Sequence, residues 1–344
     1  MKKITTTLII LLSIVSLHAQ KKHVTLMAVG DIMMGTSFPS KSYLPASGVN
    51  PFEKVKDTLA KADILFGNLE GTLTDTGKNA KHCKDPSKCY SFKSPTFLAQ
   101  YLKSTGFDVM SIANNHIGDF GKLGIKNTKK TLDANNIAHA GVYSKPDTIF
   151  IRDGIKYGFA AFAPNNDTPK IYNIAKAKAT IAKLNAECDI VIVSFHGGAE
   201  GAKYTHITRQ TEKFYGENRG NVYKFAHEMI DAGADVILGQ GPHVGRAVEV
   251  YKNKFIAYSL GNFCTYNRFN LTGVKGFAPI LKLEIDSTTG QFIKGKIISA
   301  KQQRGVYPYI DKTNAAYKEI KKLTLADFPE NKLAFSDDGT FTIK

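Results

Sequence analysis

Five short apolar runs in this chain each stop on residues that can hold a metal or move a proton. Residues 108–121 read DVMSIANNHIGDFG: Val109 to Ile112 is apolar, and Asn114, Asn115, His116 and Asp119 follow before a helix-like pattern begins at Gly121. His23–Val29 ends in Gly30-Asp31, and Asp63–Phe66 in Gly67-Asn68-Leu69-Glu70. Asp189–Val193 ends in Ser194-Phe195-His196, and Asp235–Leu238 in Gly239-Gln240-Gly241-Pro242-His243. Unbroken apolar runs are what strands buried on both faces require. In open α/β sheets, ligand sites lie just outside the carboxyl ends of such strands. Each ending has a plain structural reading when taken singly: Asn114-Asn115 as a turn, Asp31 as a cap, Glu70 as a surface residue, His196 as a satisfied core histidine, His243 as part of a Pro turn. Five together, all offering oxygen or imidazole nitrogen, point to one shared metal site.

A hydrolytic metal site needs hard oxygen ligands, a few imidazoles and an open position for water. Asp31, Asn68 or Glu70, Asn115, His196 and His243 supply that inventory for one or two divalent ions, Mn, Zn, Fe or Mg. His116 suits general-acid or anion-stabilising work better than ligation, and with Asp119 it forms the catalytic candidate. The corresponding reaction class is delivery of an activated water to phosphorus or to an amide carbonyl. Glu200 and Asn262 are candidates for touching substrate; on pattern alone one is a loop carboxylate and the other a turn residue.

The elements that must position these groups are legible in outline. Helices are expected over Pro51–Lys61, from Ser94-Pro95 to Lys103, and over Leu123–Asn136, Ile174–Glu187, Val222–Ala232 and Thr313–Leu323, several opened by a cap followed by Pro or closed by Gly. Hairpins are expected around Asp153-Gly154, Lys252-Asn253-Lys254 and Ser287–Gly290. Residues 200–219 read as an irregular polar loop near the site, and the last residues as a weakly patterned tail. The pattern gives α/β architecture: two layers of sheet with helices outside, one domain over 20–344, with a core over about 24–302 and an extension over 303–344.

The first nineteen residues stand apart. Lys2 and Lys3 precede an apolar stretch, Leu8–Leu17, and Leu17-His18-Ala19 resembles a cleavage site, so 1–19 reads as a secretory signal peptide rather than a membrane span. The chain is expected to be exported: periplasmic, cell-surface or secreted. With Lys2 and Lys3 set aside, 44 basic residues face 30 acidic ones, a net +14, which favours acidic partners such as polymers, phosphates or anionic lipid heads. No nucleic-acid module is recognisable. Of four cysteines, Cys83 and Cys89 flank HCKDPSKCY, and export makes a disulfide across this loop the expected arrangement. A zinc pair from His82, Cys83 and Cys89 would lack a fourth ligand nearby. Cys188 and Cys264 lie beside strand patterns and are expected to be buried thiols.

Six motifs in order carry a resemblance: Gly30-Asp31-Ile32-Met33; Asn68-Leu69-Glu70-Gly71; Ala113-Asn114-Asn115-His116 with Asp119 and Gly121; Phe195-His196-Gly197; Gly233-Ala234-Asp235 through Pro242-His243-Val244; and Tyr258–Phe263, YSLGNF. Together, from about Val24 to Phe263, they resemble the CapA family of poly-γ-glutamate capsule biosynthesis proteins, which have a calcineurin-like metallophosphatase fold. The resemblance implies a four-layer α/β/β/α sandwich and a dinuclear metal site at strand ends. It also implies work on poly-γ-glutamate or a related anionic surface polymer, alongside a membrane-bound synthesis complex. It carries Asp31, Asn115, His196 and His243 onto ligand positions and His116 onto the catalytic one. The acidic bridging position falls on Asn68 or Glu70, and Glu70 is preferred for its charge. Met33 stands where many metallophosphatases have His two residues after the first Asp, as CapA-like proteins generally allow; two positions depart from the CapA pattern itself: Gly197 follows His196 where Trp is usual, and Gly241 stands where CapA-like proteins commonly have the first His of His-Pro-His.

Overall fold

The computed structural model describes residues 22–82 and 89–344; the expected signal peptide and Cys83 lie outside them. Alternate residues of the apolar strands point to opposite faces, and both faces are covered. Leu26, Ala28, Ile64 and Phe66 face an inner core together with Phe159, Ile190, Ile192, Val236 and Leu238. Their neighbours Met27, Val29 and Leu65 face Leu98, Leu102 and Leu132 on one outer side, and Val191, Val193 and Ile237 face Ile181, Phe225 and Met229 on the other. The result is the expected four-layer α/β/β/α sandwich.

The first sheet has nine strands. In spatial order they are Leu333–Phe335, Thr340–Ile343, Phe292–Ile298, Ile280–Asp286, His23–Met33, Ile64–Leu69, Val109–Ser111 and Ala138–Ala140, and Asn262–Thr265 pairs with the end of His23–Met33. The second has six, in the order Val248–Tyr251, Lys254–Ala257, Val236–Gln240, Ile190–His196, Ile155–Phe162 and Asp147–Arg152. His23–Met33 and Ile64–Leu69 run parallel, as do Ile190–His196 and Val236–Gln240. Their carboxyl ends therefore deliver Asp31, Asn68, His196 and Gln240 to one edge of the sandwich. Gly30 is required there: a Cβ on it would lie 1.9 Å from the carbonyl oxygen of Gly261. That close approach lets Asp31 N–H donate to the same oxygen at 2.8 Å and sets Asp31 opposite Asn262.

Several local expectations are corrected. Pro51–Lys61 is helical only over Lys56–Leu59, although Asn50 does cap the turn through Phe52 N–H. The polar stretch after Glu200 holds a hairpin, Glu212–Phe214 with Glu217–Gly220, turned at Tyr215-Gly216, both with positive φ. The final residues contain two strands that join the first sheet, and they bury Leu333 and Phe341 in the inner core. No helix among the described residues is long and apolar enough to cross a membrane. Cys89 is disulfide-bonded, while Cys188, half-buried, and Cys264, buried, are free.

Candidate metal centre

The strand ends meet. Asp31, Glu70 and His243 each bring one donor atom to within 4.8 Å of the others. His243 Nδ1 lies 3.0 Å from Asp31 Oδ2, and its Nε2 lies 3.6 Å from Glu70 Oε1. His243 has φ +58°, a conformation that costs energy for a non-glycine residue. Asn262 secures it from both ends: its Oδ1 faces His243 Nδ1 at 3.1 Å, and its Nδ2 donates to the carbonyls of His243 and Lys275. Asn262, expected to touch substrate, is thus occupied in holding a ligand candidate. Glu200, the other such candidate, reaches His243 at 4.0 Å and Arg219 at 3.0 Å.

Asn68 turns its amide nitrogen to Asp31 Oδ1 at 2.8 Å and toward His196 Nδ1 at 3.5 Å. In this orientation it aligns two ligand candidates rather than offering its own oxygen. Asn114 braces it from behind, donating to the carbonyl of Leu69 at 2.8 Å, and accepts from His116 N–H. His116 then points its Nε2 at Glu70 Oε1, 3.8 Å away, while its Nδ1 meets Asp119 Oδ2 at 2.8 Å. Asp119 Oδ2 also accepts from Phe92 N–H.

The fit to a cation shows in what lacks a partner. Both oxygens of Glu70, Nε2 of His196, Oδ1 of Asn115 and Oε1 of Gln240 are buried without a hydrogen bond among the described residues. Buried polar atoms are normally paired, and these five belong to strand ends that converge on one place. Oxygen and imidazole nitrogen suit a divalent ion of the Mn, Zn, Fe or Mg type.

Electrostatics agree. Burial and the nearby Asp31 push the Glu70 carboxyl well above its usual range. Burial opposes charge on His243, but Glu70, Asp31 and Glu200 outweigh it and raise that ring to about 10. Burial, helped by Arg219 and His243, holds His196 well below its ordinary value. His116 is lowered by burial and by Lys81, with Asp119 opposing.

Three residues of the site stand in stretches whose sequence pattern does not mark them. Lys81 sits on Asp119 Oδ1 at 3.0 Å and on the carbonyl of Asn115 at 3.2 Å; its nearness to the Cys83–Cys89 excursion was the available hint. Arg219 is 2% exposed and donates to Gly198 O, yet in sequence it sits in a polar run. Phe269 stacks on Phe92 and meets the His243 ring edge-on, walling the centre with aromatic surface. The two departures from the CapA pattern touch each other: a Cβ on Gly241, whose φ is +113°, would lie 2.8 Å from the backbone nitrogen of Gly197. An imidazole at 241 is opposed by the main chain, and the buried amide of Gln240 beside it donates to the carbonyl of Val29 at 3.3 Å while its Oε1 has no partner among the described residues.

Comparison with known proteins gives the family and the fold. The family described as bacterial capsule synthesis protein PGA_cap matches residues 25–267. The chain is 31% identical over 269 residues to the capsule biosynthesis protein CapA of Bacillus anthracis, covering 72% of this chain and 61% of that one. It is 30% identical over 254 residues to the PGA biosynthesis protein CapA of Bacillus subtilis (strain 168), covering 68% and 61%. The chain therefore spans about three fifths of the length of these relatives. Among solved structures, a phosphatase from Mycoplasma pneumoniae superposes with a TM-score of 0.51 at 15% identity, covering 82% of this chain and 95% of that one, a likeness of fold. This chain belongs to the bacterial capsule synthesis protein family PGA_cap and carries a metallophosphatase-like fold.

Proposed function

We propose that this chain is an exported, metal-dependent hydrolase or transferase acting on poly-γ-glutamate or a related anionic surface polymer, in company with a membrane-bound synthesis complex. The observation that carries the reading is the buried Glu70 carboxylate, bare of donors, set between Asp31, His243 and the Nε2 of His116. Asp31, Glu70 and His243 would hold the ion, with His196, Asn115 and Gln240 offering further atoms. When bound, such an ion supplies Lewis acidity and acidifies water. The chain's own residues do the rest. Asp119 accepts from His116 Nδ1–H and so presents Nε2 to the centre. The lowered pKa of that ring makes its protonated form a stronger acid, suited to giving a proton to a leaving group. Lys81 holds the Asp119 carboxylate in place.

The test is incubation of the purified protein with poly-γ-glutamate and a panel of peptidoglycan peptides under Mn, Zn, Mg and Fe, followed by mass spectrometry. His116→Ala is expected to lower kcat by about 10²–10⁴-fold, the range for a lost general acid, with metal content unchanged. A second reading, polymer binding or assembly without turnover, draws on Gln240-Gly241 standing where relatives commonly offer an imidazole. Absence of product under every metal, with polymer binding retained, would establish that reading in place of the first.

A further inference from the structure

The helix Gly121–Ala134 starts two residues after Asp119 and leads away from the centre. It buries Gly124, Ile125, Thr128 and Leu132. Lys122, Lys126 and Lys130 fall on the opposite, exposed side. No carboxylate lies between Gly121 and Leu132. The first acid on the helix, Asp133, is engaged by Lys145 at 3.4 Å. None of the three lysines has an ion-pair partner among the described residues; exposed lysines elsewhere, such as Lys176, Lys183 and Lys224, share that state, and what sets this row apart is its regular four-residue spacing beside the centre. The neighbouring Asp75 is turned to Thr96. The row is also continuous with the centre: Ala80 N–H donates to Asp119 O at 2.8 Å, and Gly77 lies against Phe120 and Leu123. The segment carrying Lys78 and Lys81 is thereby laid over the start of the helix.

We infer that this lysine row is a track for a linear polycarboxylate whose end enters the metal centre. The inference rests on the proposed substrate class and adds where the chain of the polymer lies. Spacing supports it. Lysines four residues apart on a helix are about 6 Å apart along the axis. A γ-linked glutamyl residue advances through five backbone bonds of about 1.3–1.5 Å, about 6 Å when extended. The lysine spacing thus matches the polymer repeat along the track; carboxylates of an extended chain alternate from side to side, and the long, flexible lysine stems reach those on either side. Exposed pairs are individually weak and screened by salt, so the track acts only on a polymer long enough to engage several at once.

The test uses the full chain and two probes, a long sodium poly-γ-glutamate and a γ-linked triglutamate, with binding followed across salt concentrations. The variant is Lys122→Gln/Lys126→Gln/Lys130→Gln, which keeps helix propensity. The control is Lys176→Gln/Lys183→Gln/Lys224→Gln, an equal charge loss on exposed residues of the opposite outer layer. The first triple is expected to weaken long-polymer binding at least tenfold at low salt and to flatten its salt dependence, while triglutamate affinity moves less than twofold. The control triple is expected to leave long-polymer binding within about threefold of the parent. Equal losses in both triples, or no loss in the first, would overturn the track and leave the proposed substrate class standing. A parent chain that binds neither probe would overturn the substrate class and the track with it.

Discussion

Glu70→Gln is expected to make the metal-free protein more stable and to abolish its response to divalent ions. In the metal-free chain the Glu70 carboxylate is buried, no donor reaches either oxygen, and Asp31 stands beside it. His243 attracts it, but its raised pKa shows that burial and repulsion win. Removing a buried carboxylate that His243 offsets only in part is worth about 1–3 kcal/mol, less what His243 loses with that partner, so the variant should melt modestly higher than the parent without metal. With metal the order reverses. A ligand at a hundred times its Kd stabilises the folded state by about 2.7 kcal/mol, and the variant, short of an anionic donor, forfeits that gain. Thermal unfolding with and without Mn or Zn checks both signs. A variant that responds to metal as the parent does would remove Glu70 from the centre.

The same charges give the metal-free protein a pH signature. His243 titrates from an ordinary value near 6.5 to about 10 when folded. A raised base contributes stability that is complete below about 6.5 and is lost as pH rises through about 10. The metal-free parent should therefore lose stability between pH 7 and 10, and His243→Gln should flatten that decline. Urea unfolding at a series of pH values measures it.

The second large effect lies away from the candidate metal centre. Arg246 is fully buried and makes a two-pronged contact with Glu212, both bonds at 2.9 Å, while donating to the carbonyl of Ala199 at 3.0 Å. Glu212 in turn accepts from Ala199 N–H at 2.8 Å. Arg246→Ala leaves that carboxylate buried without its counter-charge, held only by the Ala199 N–H, at a cost of about 3–5 kcal/mol. Replacing both, as Arg246→Met with Glu212→Leu, removes the stranded charge and should recover much of the loss. It leaves the Ala199 backbone groups unpaired, at about 1–3 kcal/mol for an unsatisfied buried group, so recovery is incomplete. Urea midpoints of the single and double variants decide this. A double variant no better than Arg246→Ala would show that packing, not the charge, is what matters. Ala199 precedes Glu200, so the single variant should also loosen the contact between Glu200 and His243.

What could be read from the sequence follows from how many faces each element buries. Strands such as Ile190–His196 are covered on both sides, so they spell unbroken apolar runs, and their polar ends stand out. That is why Asp31, Glu70, His116, His196 and His243 were visible before any coordinates. Arg246, Glu212 and Arg219 were not, because a buried ion pair is spelled with the same letters as a solvated one. Lys81 was hidden for a like reason: only the fold carries it to Asp119. The strands Leu333–Phe335 and Thr340–Ile343 are too short to show a period of two, and their place in the sheet comes from Phe341 packing on Phe255 and Phe292.

The close approach of Gly241 to the Gly197 main chain has an implication for how this sequence can change. A side chain at Gly241 would press on the main chain of Gly197, whereas one at Gly197 would meet Ile171 and the carbonyl of Arg219 instead, so a different neighbour holds each position to glycine. Metal preference in descendants can therefore drift at position 240, where a single codon change exchanges an amide for another donor. Position 241 stays closed until the loop around Gly197 is rebuilt.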